Sequence, residues 1–545
     1  MSPLGIDETL LRIVSLGTLA GALVLCGFVL ARLGEDEDSL AAGLRERFVF
    51  GIPWGTAIVM LLVYATYYLV QGGGKAGGPV VVGFRSWSLW YPESILFSSF
   101  THASKSHLIG NLFGTLAFAP IAEYAWRHYP ENRDHERPGD WWDNPYARIA
   151  LFVLAVFLVG LLGAVIVPGP VIGFSGVVFA FAGFALVTFP ITTVLAILGV
   201  QVVRLVYRSV TDPWVVAVSR EQFVRPWWAD VAIQGHLFGL LVGVLLAAVF
   251  LQYHDRSANI RRVFFAALIF AVSKSLQYVN WPLGNERYVL FQAIGTAAVL
   301  VLALLIAVAV LDEERMFIPQ IDLRVQTAGA GVLLSLVFAL AVLGIPYNLV
   351  AVDGGQEVEN GIEVRDYTVT YAESVPDGYA SSLTLPFYQG PSVNVSGVIV
   401  ASDERNVWER RIPAGELASR GSATVVLGDA TWRETVRIQR TTWRVTGGNS
   451  TYKIFGQHDD NDPRQLFVSE PAIARPVING TRVAVQPAEN FYNVAVIENE
   501  SVLGFEQIPP SGENVTVAEI RFERHEKKLI AVYERTEVEI GRFER

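Results

Sequence analysis

Gly173-Phe174-Ser175-Gly176 lies in a largely apolar run, residues 164–189, directly after Val167-Pro168-Gly169-Pro170. The Pro/Gly cluster ends one helix. The following Val177-Val178-Phe179-Ala180-Phe181-Ala182-Gly183 reads as the start of another. Ser175 is therefore expected at a helix N-terminus, where backbone N–H groups lack intrahelical acceptors and the dipole favours developing negative charge. An acyl-transfer nucleophile gains most in such a place. Small residues in an apolar run also let membrane helices pack closely, so these four residues alone favour the packing explanation. The rest of the chain reverses that preference.

The chain has 545 residues, of which 52% are hydrophobic, with a mean hydropathy of +0.38. Runs long enough to cross a bilayer recur through its first two thirds. We count ten spans, at about 11–32, 51–70, 106–125, 147–167, 174–189, 191–208, 232–251, 263–282, 289–311 and 326–346. The fifth and sixth meet at Phe189-Pro190 and form a tight hairpin or tilt. The formal charge of −10 gives no reason to expect nucleic-acid binding. Arginine far outnumbers lysine, and acidic residues outnumber both, a pattern that fits a high-salt or otherwise harsh habitat. The single cysteine, Cys26, excludes an intrachain disulfide and a cysteine-based metal site. Residues 11–32 lack a basic leader and a small-x-small cleavage site, so they read as a retained helix.

An even number of spans puts both termini on one side. Arg45, Arg47, Arg127, Arg133, Arg137, Arg148, Arg256, Arg261, Arg262, Arg315 and Arg324 fall in loops of one side and outnumber the basic residues of the other. The positive-inside rule then places the termini outside. Of the outer loops, 71–105 begins with a Gly-rich run holding Lys75, whose spacing does not suit a phosphate loop. Its remainder, Phe84 to Pro92, and the loop 209–230 with Trp214, Trp227 and Trp228 have the aromatic content of headgroup-level segments.

From about residue 350 short β-branched runs, at 364–371, 392–400, 424–427, 435–438 and 529–533, alternate with turn residues. The expected fold is an all-α polytopic membrane protein with a C-terminal all-β, sandwich-like domain. The expected divisions are an extra helix and linker at 1–50, a core at 51–252, three further helices at 253–347 and the β-domain at 348–545. Five N-x-S/T triplets, at Asn394, Asn449, Asn479, Asn499 and Asn514, agree with an exterior, glycosylatable β-domain.

A nucleophilic serine needs a base and donors for the oxyanion. Of eight histidines, only His102, His107 and His236 fall in or at the edge of a span. An ionisable side chain is expensive there, so each is a functional candidate. Gly235, Gly239 and Gly243 recur every four residues beside His236 and share one helix face. That face admits a neighbouring helix at backbone distance, and Gly176 and Gly183 offer the matching surface. Both Ser175 and His236 begin their spans at the outer end. His107 and Asn111 are four apart, on one face, as paired oxyanion donors need; His102 is off that face and is expected to brace the loop. The His102/His107 spacing does not make a zinc HExxH motif, and no carboxylate pair lies in the spans. No metal and no cofactor are expected.

Over roughly residues 50–252 the chain resembles the rhomboid intramembrane serine proteases. The resemblance rests on His102 with His107-x-x-x-Asn111, on Gly173-Phe174-Ser175-Gly176 with Gly183, and on Gly235-His236-x-x-Gly239-x-x-x-Gly243, in family order. It implies a Ser175–His236 dyad, an oxyanion hole of His107, Asn111 and the Ser175 N–H, and cleavage of transmembrane substrates near their outer ends. Phe179 stands where many members carry a tyrosine stacked on the catalytic histidine. The first outer loop lacks the usual Trp-Arg pair and has Phe84-Arg85 and Trp87 instead. The expected partners are transmembrane protein substrates and the bilayer, with envelope or substrate contacts through 348–545. The rival expectations are a catalytically silent relative that binds membrane clients through its core and β-domain, and a transporter. Both catalytic-type residues are present, and no recurrent charged residues lie in the spans beyond Lys274 and Arg204, which argues against a transport path.

Overall fold

The computed structural model describes residues 7–33, 38–129, 141–213, 233–254, 256–284, 287–311, 316–318, 323–349, 360–378, 384–385, 388–389, 394–459, 461–489, 491–499 and 501–544. The chain divides into two units, one of residues 1–220, 225–282 and 287–350, the other of 221–224, 283–286 and 351–545.

The first unit is helical. Its elements are α1 (Glu8–Leu33), α2 (Asp38–Arg47), α3 (Trp54–Ala65), α4 (Pro92–Ser98), α5 (Lys105–Trp126), α6 (Pro145–Ile166) and α7 (Ser175–Thr188), then α8 (Pro190–Thr211), α9 (Ile233–Tyr253), α10 (Ile260–Ser273), α11 (Gln292–Ala309) and α12 (Val325–Leu349). Seven of the described helices are long and apolar enough to cross a membrane. Two shorter apolar stretches, Trp54–Val70 and Ser175–Thr188, lie among them. Leu61, Leu69, Leu195, Leu198, Val202, Leu205 and Val249 point outward, an arrangement suited to lipid rather than to water.

Local chemistry sets the helix ends. Ser104 Oγ accepts from His107 N at 3.1 Å and caps α5, and Asn144 Oδ1 accepts from Tyr146 N ahead of Pro145 in α6. The last carbonyls of α5 are met by cations: Arg47 Nη1 donates to Tyr124 O, and Arg148 donates to Arg127 O and Trp126 O. Pro190 opens α8 with only Phe189 between it and α7, so the two spans meet at Phe189-Pro190 as expected. The span expected at 263–282 is shorter. It ends at Ser273, because Lys274 and Ser275 turn the chain (Ser275 φ 64°) and Pro282 has no N–H to continue a helix.

At the other end of α5, Glu123 is fully buried and accepts from Gly55 N (2.7 Å), Thr56 N (2.8 Å), Thr56 Oγ1 (2.7 Å) and His128 Nε2 (2.6 Å). Pro53, the residue before α3, makes no side-chain cap, so a carboxylate from another helix supplies the anion at that N-terminus. His128 Nδ1 in turn accepts from Val49 N at 3.1 Å.

The described strands of the second unit pair antiparallel, and a short helix, Ala414–Arg420, lies among them and is ended by Gly421 (φ 74°). One sheet has the order Val407–Pro413, Asn394–Ser402, Tyr367–Pro376, Ile362–Val364. A second runs Arg464–Val468, Ser450–His458, Arg433–Val445, Thr536–Glu544, Lys528–Tyr533, Ile520–His525, Asn514–Val517, with Ser422–Gly428 also on Arg433–Val445. A third runs Ala472–Ile478, Thr481–Pro487, Tyr492–Glu498, Ser501–Gln507. Alternation of Val483, Val485, Val494 and Val496 into one apolar cluster with Trp443 and Phe522 explains why these runs pair as sheets. The expected strand at 364–371 is two, parted by a turn in which Arg365 has φ 57°. All five triplet asparagines are exposed.

Candidate active site

Helices α7 and α9 run in the same direction at backbone distance. A Cβ on Gly239 would stand 2.0 Å from Gly176 O, one on Gly243 would stand 2.0 Å from Ala180 O, and one on Gly183 would stand 2.4 Å from Leu240 O. Gly235 and Gly176 are looser, with Gly176 in ordinary contact with Gly235 O. The close approach thus uses Gly239, Gly243 and Gly183, with Ala180 as a further partner that the glycine pattern alone did not reveal. Any side chain larger than hydrogen at 239 or 243 would hold the two helices apart.

This approach brings the two helix starts together. Ser175 is the first residue of α7, where its N–H has no intrahelical acceptor. Phe179 is one turn further on the same face. The His236 ring stacks on Phe179 with centroids 4.2 Å apart and planes within 6°. Stacking does not need the tyrosine hydroxyl. Phe270 meets Phe179 edge-on and backs it. His236 Nδ1 is buried with no hydrogen-bond partner among the described residues, so no carboxylate orients the ring there; the aromatic face does. Among the described residues no hydrogen bond joins Ser175 to His236.

The polar groups of α5 close the other side. The His107 ring lies so near the Gly173 backbone that a Cβ there would stand 2.4 Å from the ring. Gly173 has φ 118°, a conformation glycine adopts readily. Asn111 is buried, and its Nδ2 donates to His102 Nε2 at 3.0 Å. His102 is fully buried; its N–H donates to Gln71 Oε1 at 2.7 Å, while Gln71 Nε2 donates to the His102 and Val80 carbonyls. His102 thus ties the Asn111 amide to the segment around Gln71.

Ser175, His236, His107, Asn111, Gly173, Gly176, Phe179, Gly235 and Gly239 all line one cavity of about 820 Å³. Gly183 and Gly243 lie deeper, in the helix contact, and His102 stands behind Asn111. The cavity also has Arg85, Arg204 and Lys274 in its wall, and no Asp or Glu among its described residues. Arg85 had no role from sequence; its Nη1 donates to Pro170 O at 3.3 Å. Arg204 donates to Gly110 O, and Lys274 lies 5.9 Å from the Phe118 ring centre. Their charge within expected spans was the signal that could have marked them. By ~1.5 Å per residue, Ser175, Arg204 and Lys274 each stand about 20 Å along their elements from the ends at Thr188, Pro190 and Ile260.

The outer loop is more internal than its aromatic content implies. Phe84 and Trp87 are buried, and Trp87 Nε1 donates to Val82 O at 2.7 Å, while Trp90 is exposed. An internal acceptor for the indole and the pairing of Ser86 with Val171 hold this loop against the helices. The second aromatic-rich loop, with Trp214, Trp227 and Trp228, lies outside the described residues.

The fold and the cavity define an integral membrane protein with a polar site enclosed by apolar helices. Residues 87–253 match the Rhomboid domain, which supports a rhomboid-type membrane segment there. Searches of the curated proteins and of the solved structures find no match to it.

Proposed function

We propose that the protein is an intramembrane serine endopeptidase. The observation that carries this reading is the flat stacking of His236 on Phe179, one helical turn from Ser175, in a cavity that also holds His107 and Asn111. The Ser175 hydroxyl attacks the scissile carbonyl, forming the C–O bond while its proton passes to His236. The resulting oxyanion is held by the Ser175 N–H, His107 and the second N–H of Asn111, the first being used on His102. His236 returns the proton to the leaving amine as the C–N bond breaks. Water from the cavity then hydrolyses the acyl-serine by the same steps. The C-terminal unit, with its five exposed triplet asparagines, is assigned to the exterior face, where it meets substrates or envelope components.

The test is cleavage of a panel of transmembrane substrates in liposomes by the wild type, Ser175→Ala and His236→Ala, at salt that keeps the protein folded. Product from the wild type, lost by 10³-fold or more in both folded variants, is expected. Cleavage that persists in Ser175→Ala would sink the mechanism. If no variant cleaves, a fluorophosphonate probe separates the readings: labelling of Ser175 marks a competent nucleophile, and its failure leaves the client-binding relative.

The three cations in a cavity wall without a described carboxylate lead to a prediction about substrates. A substrate with Asp or Glu beside the scissile bond should be cleaved at least ~5-fold faster than its Asn or Gln counterpart, consistent with one partly buried ion pair. Lys274→Gln should remove that preference and leave cleavage of the neutral substrate within twofold. Equal rates for both substrates in the wild type would refute it.

A further inference from the structure

The last helix of the first unit holds the segment that delivers the nucleophile, although it lies well beyond the matched residues 87–253. Asn348, near the end of α12, is fully buried. Its Nδ2 donates to Val165 O and Val167 O, both at 2.9 Å, and its Oδ1 accepts from Gly169 N at 3.3 Å. Its own carbonyl accepts from Leu89 N at 2.9 Å, and the next carbonyl, Leu349 O, accepts from Trp90 Nε1 at 3.1 Å. One turn back, Gly344 lies against the Ile166 carbonyl so closely that a Cβ would stand 1.7 Å from it.

These contacts meet a specific need. The end of α6 leaves carbonyls without intrahelical donors, and Pro168 and Pro170 remove two N–H groups that a turn could have used. The segment between α6 and Ser175 therefore cannot satisfy its own backbone. A side-chain amide, with two donors and an acceptor, supplies both functions at once. The remaining anchors continue along the same segment: Arg85 on Pro170 O, Ser86 on Val171 through three bonds, and Gly173 N on Ser98 O at 2.9 Å. Asn348 also joins α12 to the 82–91 loop that makes two of those anchors.

We infer that Asn348 is a positioning residue for Ser175, and that the catalytic unit extends through α12 to residue 348. This rests on the peptidase reading for its kinetic consequence, but not for its structural one. An amide that fixes residues 165–169 fixes where the chain enters the first turn of α7, and hence the direction of Ser175 Oγ and its N–H. Small displacements of a nucleophile are costly to rate and cheap to binding.

The full chain in liposomes tests this with Asn348→Leu, which removes all three side-chain bonds, and Asn348→Asp, which keeps the acceptor for Gly169 N–H and loses both donors. Three readouts are compared with wild type: kcat and KM on a cleaved transmembrane substrate, the rate of fluorophosphonate labelling at Ser175, and hydrogen exchange of the peptide spanning residues 165–175. The expected result is a kcat and labelling rate at least tenfold lower in Asn348→Leu, with KM within twofold and faster exchange confined to that peptide. Asn348→Asp should fall in the same direction and serves alone if the leucine variant fails to fold. Unchanged labelling and kcat in a folded variant overturn the inference, even where exchange rises. If the wild type neither cleaves nor labels, the peptidase reading has failed on its own; unchanged exchange at 165–175 then overturns the clamp, and faster exchange upholds it.

Discussion

Gly243→Ala is expected to lower Ser175 labelling and proteolysis by more than tenfold and to destabilise the helical unit by about 3 kcal/mol. The new methyl would stand 2.0 Å from Ala180 O, 2.8 Å from its carbonyl carbon and 2.9 Å from its Cα. All three are backbone atoms of a packed helix, so no side chain can rotate aside, and α7 and α9 must part. Parting them lifts the His236 ring from Phe179 and carries the two helix starts away from each other. Gly239→Ala, with the same clearance against Gly176 O, should do this at the site itself. Gly199→Ala on α8 is the control: nothing lies within 4 Å of the added methyl, and stability should hold or rise slightly. Labelling rates and thermal unfolding of the three variants side by side give the answer. A Gly243→Ala protein as stable and reactive as Gly199→Ala would show that the helices do not depend on contact at that point.

Glu123→Ala should cost about 3–5 kcal/mol, with loss of fold rather than of chemistry as the first symptom. The carboxylate has four donors within 2.8 Å, and every group in the cluster is buried. Its removal strands Gly55 N, Thr56 N, the Thr56 hydroxyl and His128 Nε2 where water does not reach, and each orphaned donor carries a desolvation penalty of about 1–3 kcal/mol, not fully additive. Glu123→Gln is the sharper test, since it keeps the shape. Its amide would turn an N–H toward donors that need an acceptor, so it should still lose about 2 kcal/mol. Thermal or denaturant unfolding in detergent measures both. A glutamine variant of wild-type stability would show that the cluster tolerates a neutral side chain. The cavity groups stand near the opposite end of α5, at His107 and Asn111, so residual activity of any folded fraction should be close to normal.

Glu123 and His128 illustrate what a linear reading misses. They lie just outside or at the edge of an apolar run, five residues apart, and nothing local marks them as a pair. The only local hint is Pro53, a helix start that brings no capping side chain of its own. Asn348 was hidden for a related reason. It closes an apolar helix whose pattern announces membrane crossing, and its three acceptors and donor partners lie more than 170 residues away. Arg204 and Lys274 were visible as charges in spans, but the cavity that they share with Ser175 was not.

What the sequence determined by itself was set by short-range chemistry. Apolar run length dictated membrane helices, the Pro/Gly cluster before Ser175 placed that residue at a helix start, and the four-residue spacing of Gly235, Gly239 and Gly243 specified a smooth helix face. Alternating β-branched residues after 350 dictated strands. Tertiary structure alone decided which surface met that glycine face, with Ala180 among its partners, and that His236 would lie flat on Phe179. It alone decided that the loop at Phe84 and Trp87 folds inward and that α12 returns to hold the segment before Ser175. The physical reason is the same in each case. A helix or strand is written by its neighbours in the chain, whereas the partner of a buried polar group is whichever distant atom the packing brings within hydrogen-bond reach.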